Sequence, residues 1–182
     1  RFDLQIKSLD TKGRMAGYAS VFGIVDNQND VIENGAFANT LKGRIGDIKM
    51  LWQHQQEEPI GIFNNIFEDD LGLFVEGQLL LEVQRAKEAH ALLKVGALSG
   101  LSIGYSPVRY RISADTGIRY LSEVELWEVS LVTFPANSAA QVTVVKQSEP
   151  SDESTGWDSA LKNGQLIQLS EALDRAIFNL HY

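Results

Sequence analysis

The sequence predicts an α+β domain built on a mostly antiparallel sheet, rolled into a closed or nearly closed β-barrel with a few flanking helices. Three observations carry this. Short runs of alternating apolar and polar residues recur from Phe2 to Val145, with turn signals between them. Helices do not alternate with those runs, which disfavours parallel crossover architectures. The chain has 182 residues, 44% hydrophobic and 22% charged, enough to bury one core without disulfides.

The first strand is expected over Phe2–Leu9, where Phe2, Leu4 and Ile6 alternate with Asp3, Gln5 and Lys7. Lys12-Gly13 turns the chain into a second strand, Met15–Phe22, and the two read as a hairpin. Residues 26–30 form a polar loop. Gly35–Leu41 reads as a short helix closed by Gly43. Ile48–His54 is a strand, and Ile60–Phe67 with Leu71–Leu81 makes a hairpin across Asp69-Asp70. Gln84–Val95 is a helix: Ala86, Ala89, Leu92 and Leu93 line one face, and Gly96 stands at the C-terminal cap position. Strand-like runs follow at Leu98–Tyr105, Val108–Ile112, Arg119–Leu121, Val124–Thr133 and Gln141–Val145. Composition changes at Gln147. Residues 148–158 read as an acidic linker broken by Pro150 and Gly156. Beyond it, Leu166, Leu169, Leu173, Ala176, Ile177 and Leu180 recur at helical spacing. The expected organisation is a domain over 1–147, a linker over 148–158 and a C-terminal amphipathic helix over 159–182.

Twenty-four acids against 16 bases leave a formal charge of −8. Such a domain repels phosphate backbones, so no nucleic-acid partner is expected; the densest basic group is only Arg109, Arg111 and Arg119. No apolar stretch reaches the length of a membrane span, so no membrane partner is expected either. The absence of cysteine excludes a thiol nucleophile and cysteine-based zinc sites, and it fits a reducing compartment. A cytoplasmic location, with no metal and no cofactor, is the expectation.

Among the three histidines, His90 falls mid-helix and His181 next to the end, and neither has a motif around it. His54 ends a strand and precedes the polar run Gln55-Gln56-Glu57-Glu58, a place at a sheet rim where sites are often built. In Gly100-Leu101-Ser102-Ile103-Gly104, strand parity puts Ser102 between two glycines on one face, with Ser99, Leu101, Ile103 and Tyr105 on the other. Two readings stay open: the glycines clear space for a second backbone to approach a nucleophilic hydroxyl, or they serve packing alone. The pattern matches the G-x-S-x-G nucleophile elbow formally, but that elbow needs strand, turn and helix, whereas here another strand follows. In the run from Glu123 to Val132, strict alternation groups Glu128 with Val124, Leu126, Ser130 and Val132, opposite Glu123 and Glu125. A carboxylate on an apolar face needs a partner. A histidine or an arginine such as Arg109 or Arg111 would serve equally.

The chain resembles the prohead protease family of tailed bacteriophages, distant kin of the herpesvirus assemblin proteases. The resemblance runs over Gly17 to about Val145. It rests on Gly17-Tyr-Ala-Ser-Val-Phe-Gly23, Asp30-Val-Ile-Glu-Asn-Gly-Ala-Phe37, Leu51-Trp-Gln-His54 with Ile60-Gly61, and Leu71-Gly-Leu73. It continues in residues 96–105 and in Leu126-Trp-Glu-Val-Ser-Leu-Val-Thr-Phe-Pro-Ala-Asn137. It implies an assemblin-like barrel and a serine endopeptidase. That enzyme would act inside the immature capsid, in the host bacterial cytoplasm. Its substrates would be scaffold or major capsid protein segments and itself, with self-association expected. His54 would be the general base, Ser102 the nucleophile and Glu128 the third member, where the herpesvirus branch has a second histidine. Oxyanion donors fall to Ala136 N–H with Asn137, because Pro135 has no N–H and the arginines of the herpesvirus branch are missing. Two other readings are an inactive capsid-assembly module of the same fold and an α/β-hydrolase-type esterase. The chain order His54, Ser102, Glu128 speaks against the esterase.

Overall fold

The computed structural model describes residues 12–144. The strand expected at Phe2–Leu9, its hairpin, the linker over 148–158 and the helix over 159–182 lie outside the described residues.

Among the described residues, eight strands and one α-helix follow each other: β1 (Arg14–Val21), β2 (Asp30–Ile32), β3 (Lys49–Trp52), β4 (Gln55–Glu68), β5 (Gly72–Leu79), α1 (Gln84–Lys94), β6 (Gly100–Ile112), β7 (Arg119–Val132) and β8 (Val142–Val144). They build one mixed, curled sheet in the order β2-β7-β3-β4-β5-β1-β8, with β6 paired to the other side of β7. Pairing is antiparallel except for β2–β7 and β3–β7, which are parallel. Gly100, at the start of β6, forms an isolated antiparallel bridge to Gln141, just before β8 at the far end of that order. This α+β sheet with one flanking helix encloses the core, where Met15, Met50, Ile60, Leu73, Leu101, Leu126 and Leu131 are almost fully buried.

The β4–β5 hairpin turns where expected. Asp69 Oδ1 accepts from the backbone N–H groups of Leu71 and Gly72, the local bonding that suits aspartate to turns. Helix α1 buries Ala86, Ala89 and Leu93. Gly96 follows with φ +70°, a left-handed cap that glycine adopts without steric cost.

Three expectations need correction. Residues 34–43 are consecutive turns rather than a helix. Their backbone groups are taken by tertiary partners: Phe37 N–H donates to Glu68 Oε1, and Ala36 C=O accepts from Val124 N–H instead of from Thr40. Second, the runs at Leu98–Tyr105 and Val108–Ile112 are one strand, β6, which passes straight through Pro107. Proline is tolerated because β6 has β7 as its one strand partner there, so a missing N–H breaks no second ladder. Arg119–Leu121 and Val124–Thr133 likewise merge into β7.

The third correction concerns the face of Glu128. Gly104 pairs with Glu128 and Tyr105 with Leu126, so Trp127 is an extra residue in β7, a β-bulge. Alternation restarts there. Val124 and Leu126 share the core with Val129 and Leu131, while Glu128 and Ser130 sit beside Gly104 and Ser102 on the opposite face.

Candidate active site

Three adjacent strands, β3, β7 and β6, supply the site. Ser102 on β6 lies directly across from Ser130 on β7, and Gly104 lies across from Glu128. On the other side of β7, Lys49 pairs with Glu128 and Leu51 with Ser130, so β3 delivers its terminal turn to the same patch.

That turn is the two-residue connection Gln53-His54, closed by pairing of Trp52 with Gln55. Both residues have positive φ, 51° and 60°, the signature of a type I′ hairpin loop. Asn-Gly is the usual occupant; two ordinary side chains here cost roughly 1–2 kcal/mol each. Four hydrogen bonds to β7 and the residue after it hold the turn. Gln53 N–H donates to Leu131 C=O at 3.0 Å and His54 N–H to Ser130 Oγ at 3.0 Å. Gln53 Nε2 donates to Thr133 Oγ1 at 2.8 Å, and Thr133 N–H returns a bond to Gln53 Oε1 at 3.4 Å. At about 1 kcal/mol apiece these bonds offset the strain.

The imidazole of His54 joins the two other predicted residues. Its Nδ1 is 2.6 Å from Glu128 Oε1, and its Nε2 is 3.0 Å from Ser102 Oγ. A carboxylate only accepts, so Nδ1 carries the proton and Nε2 offers its lone pair to the Ser102 hydroxyl. Ser102 and Glu128 are 5% and 8% exposed. The other Glu128 oxygen, Oε2, accepts from Ser130 Oγ at 2.7 Å. Of the two partners open to Glu128 in the sequence, the histidine is the one present: Arg109 pairs with Glu123 and Arg111 with Glu33. Glu125 pairs with Arg44. His90 lies on α1. Among the described residues no group of three acids or histidines is placed to hold a metal ion.

Both glycines flanking Ser102 are explained by what lies against them. A Cβ on Gly104 would stand 2.9 Å from both Cγ and Cδ of Glu128, so the glutamate side chain crosses the bare Cα. A Cβ on Gly100 would meet Val132 O at 2.7 Å and Pro135 Cδ at 2.8 Å. The glycines therefore admit the acid and the loop after β7, rather than space above the hydroxyl. Gly104→Ala should fold but push Glu128 off His54, and a misplacement of that size costs about 100-fold in rate. Unchanged reactivity of Ser102 toward a fluorophosphonate in this variant would show that the acid had not been displaced.

Ala136 and Asn137 line a cavity together with Ser102, Ile103, Tyr105 and Ser20. Asn137 Nδ2 donates to Val21 C=O at 2.8 Å and Ala136 C=O accepts from Asn27 N–H, which ties the loop after β7 to β1 and the polar loop. In the cavity wall, Asp30 is 1% exposed and accepts from Tyr105 OH at 2.7 Å and from Arg119. Gln53 and Ser130 are the site residues that sequence reasoning passed over. Ser130 had a readable signal, since it stands two residues from Glu128 on the same strand face.

The hydrogen bond that His54 donates to Glu128 raises the pKa of its imidazole above the ordinary value, against a smaller opposing effect of burial. An imidazole that serves as a general base works unprotonated, so with His54 in that role activity should rise with pH through that pKa. The acid limb of kcat/KM is thus expected above the ordinary imidazole value of about 6.5. A limb centred below it would contradict the coupling.

A carboxylate, an imidazole and a serine hydroxyl in one hydrogen-bonded line are the constellation of the serine hydrolases, here carried on a curled mixed sheet. The chain belongs to the caudovirus prohead serine protease family, whose profile matches residues 2–154. It is 36% identical over 138 residues to the prohead protease of Enterobacteria phage HK97, covering 74% of this chain and 61% of that protein. It is 34% identical over 150 residues to a capsid polyprotein of Pseudomonas phage PAJU2, covering 79% of this chain and 22% of the polyprotein. The chain thus spans about three-fifths of the first relative's length and about a fifth of the second's. The solved structure of the bacteriophage T4 capsid assembly protease shares the fold, with a TM-score of 0.53 at 9% identity over 65% of this chain and 82% of that one.

Proposed function

We propose that this protein is a serine endopeptidase of phage procapsid maturation, with His54 as general base, Ser102 as nucleophile and Glu128 as the orienting acid. The observation that carries the reading is the single imidazole bonded to Glu128 through Nδ1 and to Ser102 through Nε2. In the acylation step Ser102 Oγ attacks the peptide carbonyl carbon while Nε2 takes the hydroxyl proton. The same nitrogen then returns that proton to the departing amine, and water repeats the sequence to release the acid. Glu128 keeps the ring in the tautomer that makes this possible and stabilises the imidazolium. The backbone N–H of Ala136, with Asn137, is the proposed oxyanion donor set, supported by their place on the Ser102 cavity.

The substrates proposed are segments of the major capsid protein or scaffold, and this chain itself, cut inside the procapsid in the host cytoplasm. The names of the relatives support a capsid-associated substrate. The bridge from Gly100 to Gln141 supports reading the sheet as a nearly closed barrel. The test is incubation of the purified chain with its cognate capsid protein, followed by mass spectrometry of the fragments. Discrete new termini that vanish with Ser102→Ala support the proposal. An intact capsid protein together with a Ser102 that a fluorophosphonate leaves unlabelled would instead indicate an assembly module. Labelling combined with turnover of esters but not peptides would indicate an esterase.

A further inference from the structure

We infer that Ser130 is the positioning residue that locks the acid and the base of the triad to each other. The inference rests on the His54–Ser102–Glu128 reading and deepens it. Ser130 is fully buried on β7, two residues from Glu128 and directly across from Ser102. A serine hydroxyl has one proton to give and lone pairs to receive. Here both capacities are used inside the site: Oγ–H donates to Glu128 Oε2 at 2.7 Å, and Oγ accepts from the His54 backbone N–H at 3.0 Å.

Each bond answers a separate weakness of the arrangement. The terminal torsion of a glutamate is broad, so a carboxylate held at one oxygen can rotate away. Fixing Oε2 leaves Oε1 aimed at Nδ1. A non-glycine residue at φ 60° tends to relax out of the left-handed region. Fixing the His54 N–H holds the turn that presents the ring. Ser130 therefore sets the distance between the two groups from both ends while touching neither the Ser102 hydroxyl nor solvent. A residue of this kind should change the reaction step and leave binding alone.

The experiment uses the full 182-residue chain and a fluorophosphonate probe, in which Ser102 Oγ attacks phosphorus and fluoride leaves. Ser130→Ala is expected to lower kinact by about 10- to 100-fold with KI changed less than about twofold, the size of effect that a small misplacement produces. In a Glu128→Gln background the same substitution should lower kinact clearly less than it does in the wild type, because the part of its effect that runs through the carboxylate is already lost and only the hold on the His54 turn remains. The downfield proton resonance of His54 Nδ1–H should disappear or broaden in Ser130→Ala. Ser130→Cys fills the site with a slightly larger atom and offers only a weak S–H donor, so it covers the case in which the space left by alanine unsettles the fold; it too should lower kinact. Wild-type kinact in either variant, or an equal loss with and without Glu128, would overturn the inference. Failure of the triad itself gives a different pattern, with Glu128→Gln labelled at the wild-type rate.

Discussion

Ser102→Ala should abolish peptide cleavage and fluorophosphonate labelling, with a loss of about a millionfold in kcat, while the chain remains folded. The size follows from triad logic: without the oxygen nucleophile, neither the base nor the acid has a function, and only binding and oxyanion stabilisation persist. The fold should hold because the hydroxyl makes one polar contact, to His54 Nε2, and alanine fits the space between Gly100 and Gly104. Ser99→Ala is the control, since Ser99 lies just before β6 and its backbone C=O, not its side chain, bonds Val142 N–H. Cleavage fragments and far-ultraviolet circular dichroism measured together decide the matter. A Ser102→Ala protein that still cuts capsid protein would end the triad proposal.

Glu128→Gln should cost about 1,000- to 10,000-fold in kcat, comparable to replacing the acid of a Ser-His-Asp triad by its amide. Packing barely changes. The charge opposite the imidazolium is lost, and an amide nitrogen facing Nδ1 would favour the wrong tautomer. Glu123→Gln and Glu125→Gln should stay within about twofold, because those carboxylates pair with the exposed guanidinium groups of Arg109 and Arg44 rather than with His54, and such ion pairs contribute little. Steady-state rates for the three variants, measured side by side on one peptide, provide the check. Equal losses in all three would show that net charge rather than a placed carboxylate matters.

Much of the site is legible in the sequence. Strand parity put Ser102 between two glycines, and a polar turn after an apolar strand marked His54. A carboxylate flanked by Leu126 and Ser130 demanded a partner. Local pattern could not choose histidine over arginine, because Arg109 and Arg111 find their acids through the β6–β7 register and through Glu33, and neither pairing leaves a trace in sequence spacing. Parity counting also failed at Trp127, for a physical reason. One extra residue in a ladder is invisible in the composition of the strand that carries it, yet it rotates everything beyond it by one face. The helix expected at Gly35–Leu41 failed because Val124, distant in sequence, takes the Ala36 C=O that a helix would bond to Thr40. The β4–β5 hairpin and α1 were legible because their bonds are local: Asp69 to its own turn, Gly96 to its own helix end.

The parallel contact between β3 and β7 also carries a lesson about timing. Lys49 meets Glu128 across nearly eighty residues of intervening chain, and parallel partners of that separation are joined late, after the local hairpins have closed. His54 belongs to the early half of the protein, and Glu128 and Ser130 belong to a strand synthesised long afterwards. A ribosome-bound fragment ending anywhere before β7 therefore carries the histidine on a hairpin with nothing to orient it. On the proposed triad, reactivity is expected only once β7 has docked, so the order of folding would itself keep the emerging polypeptide inert.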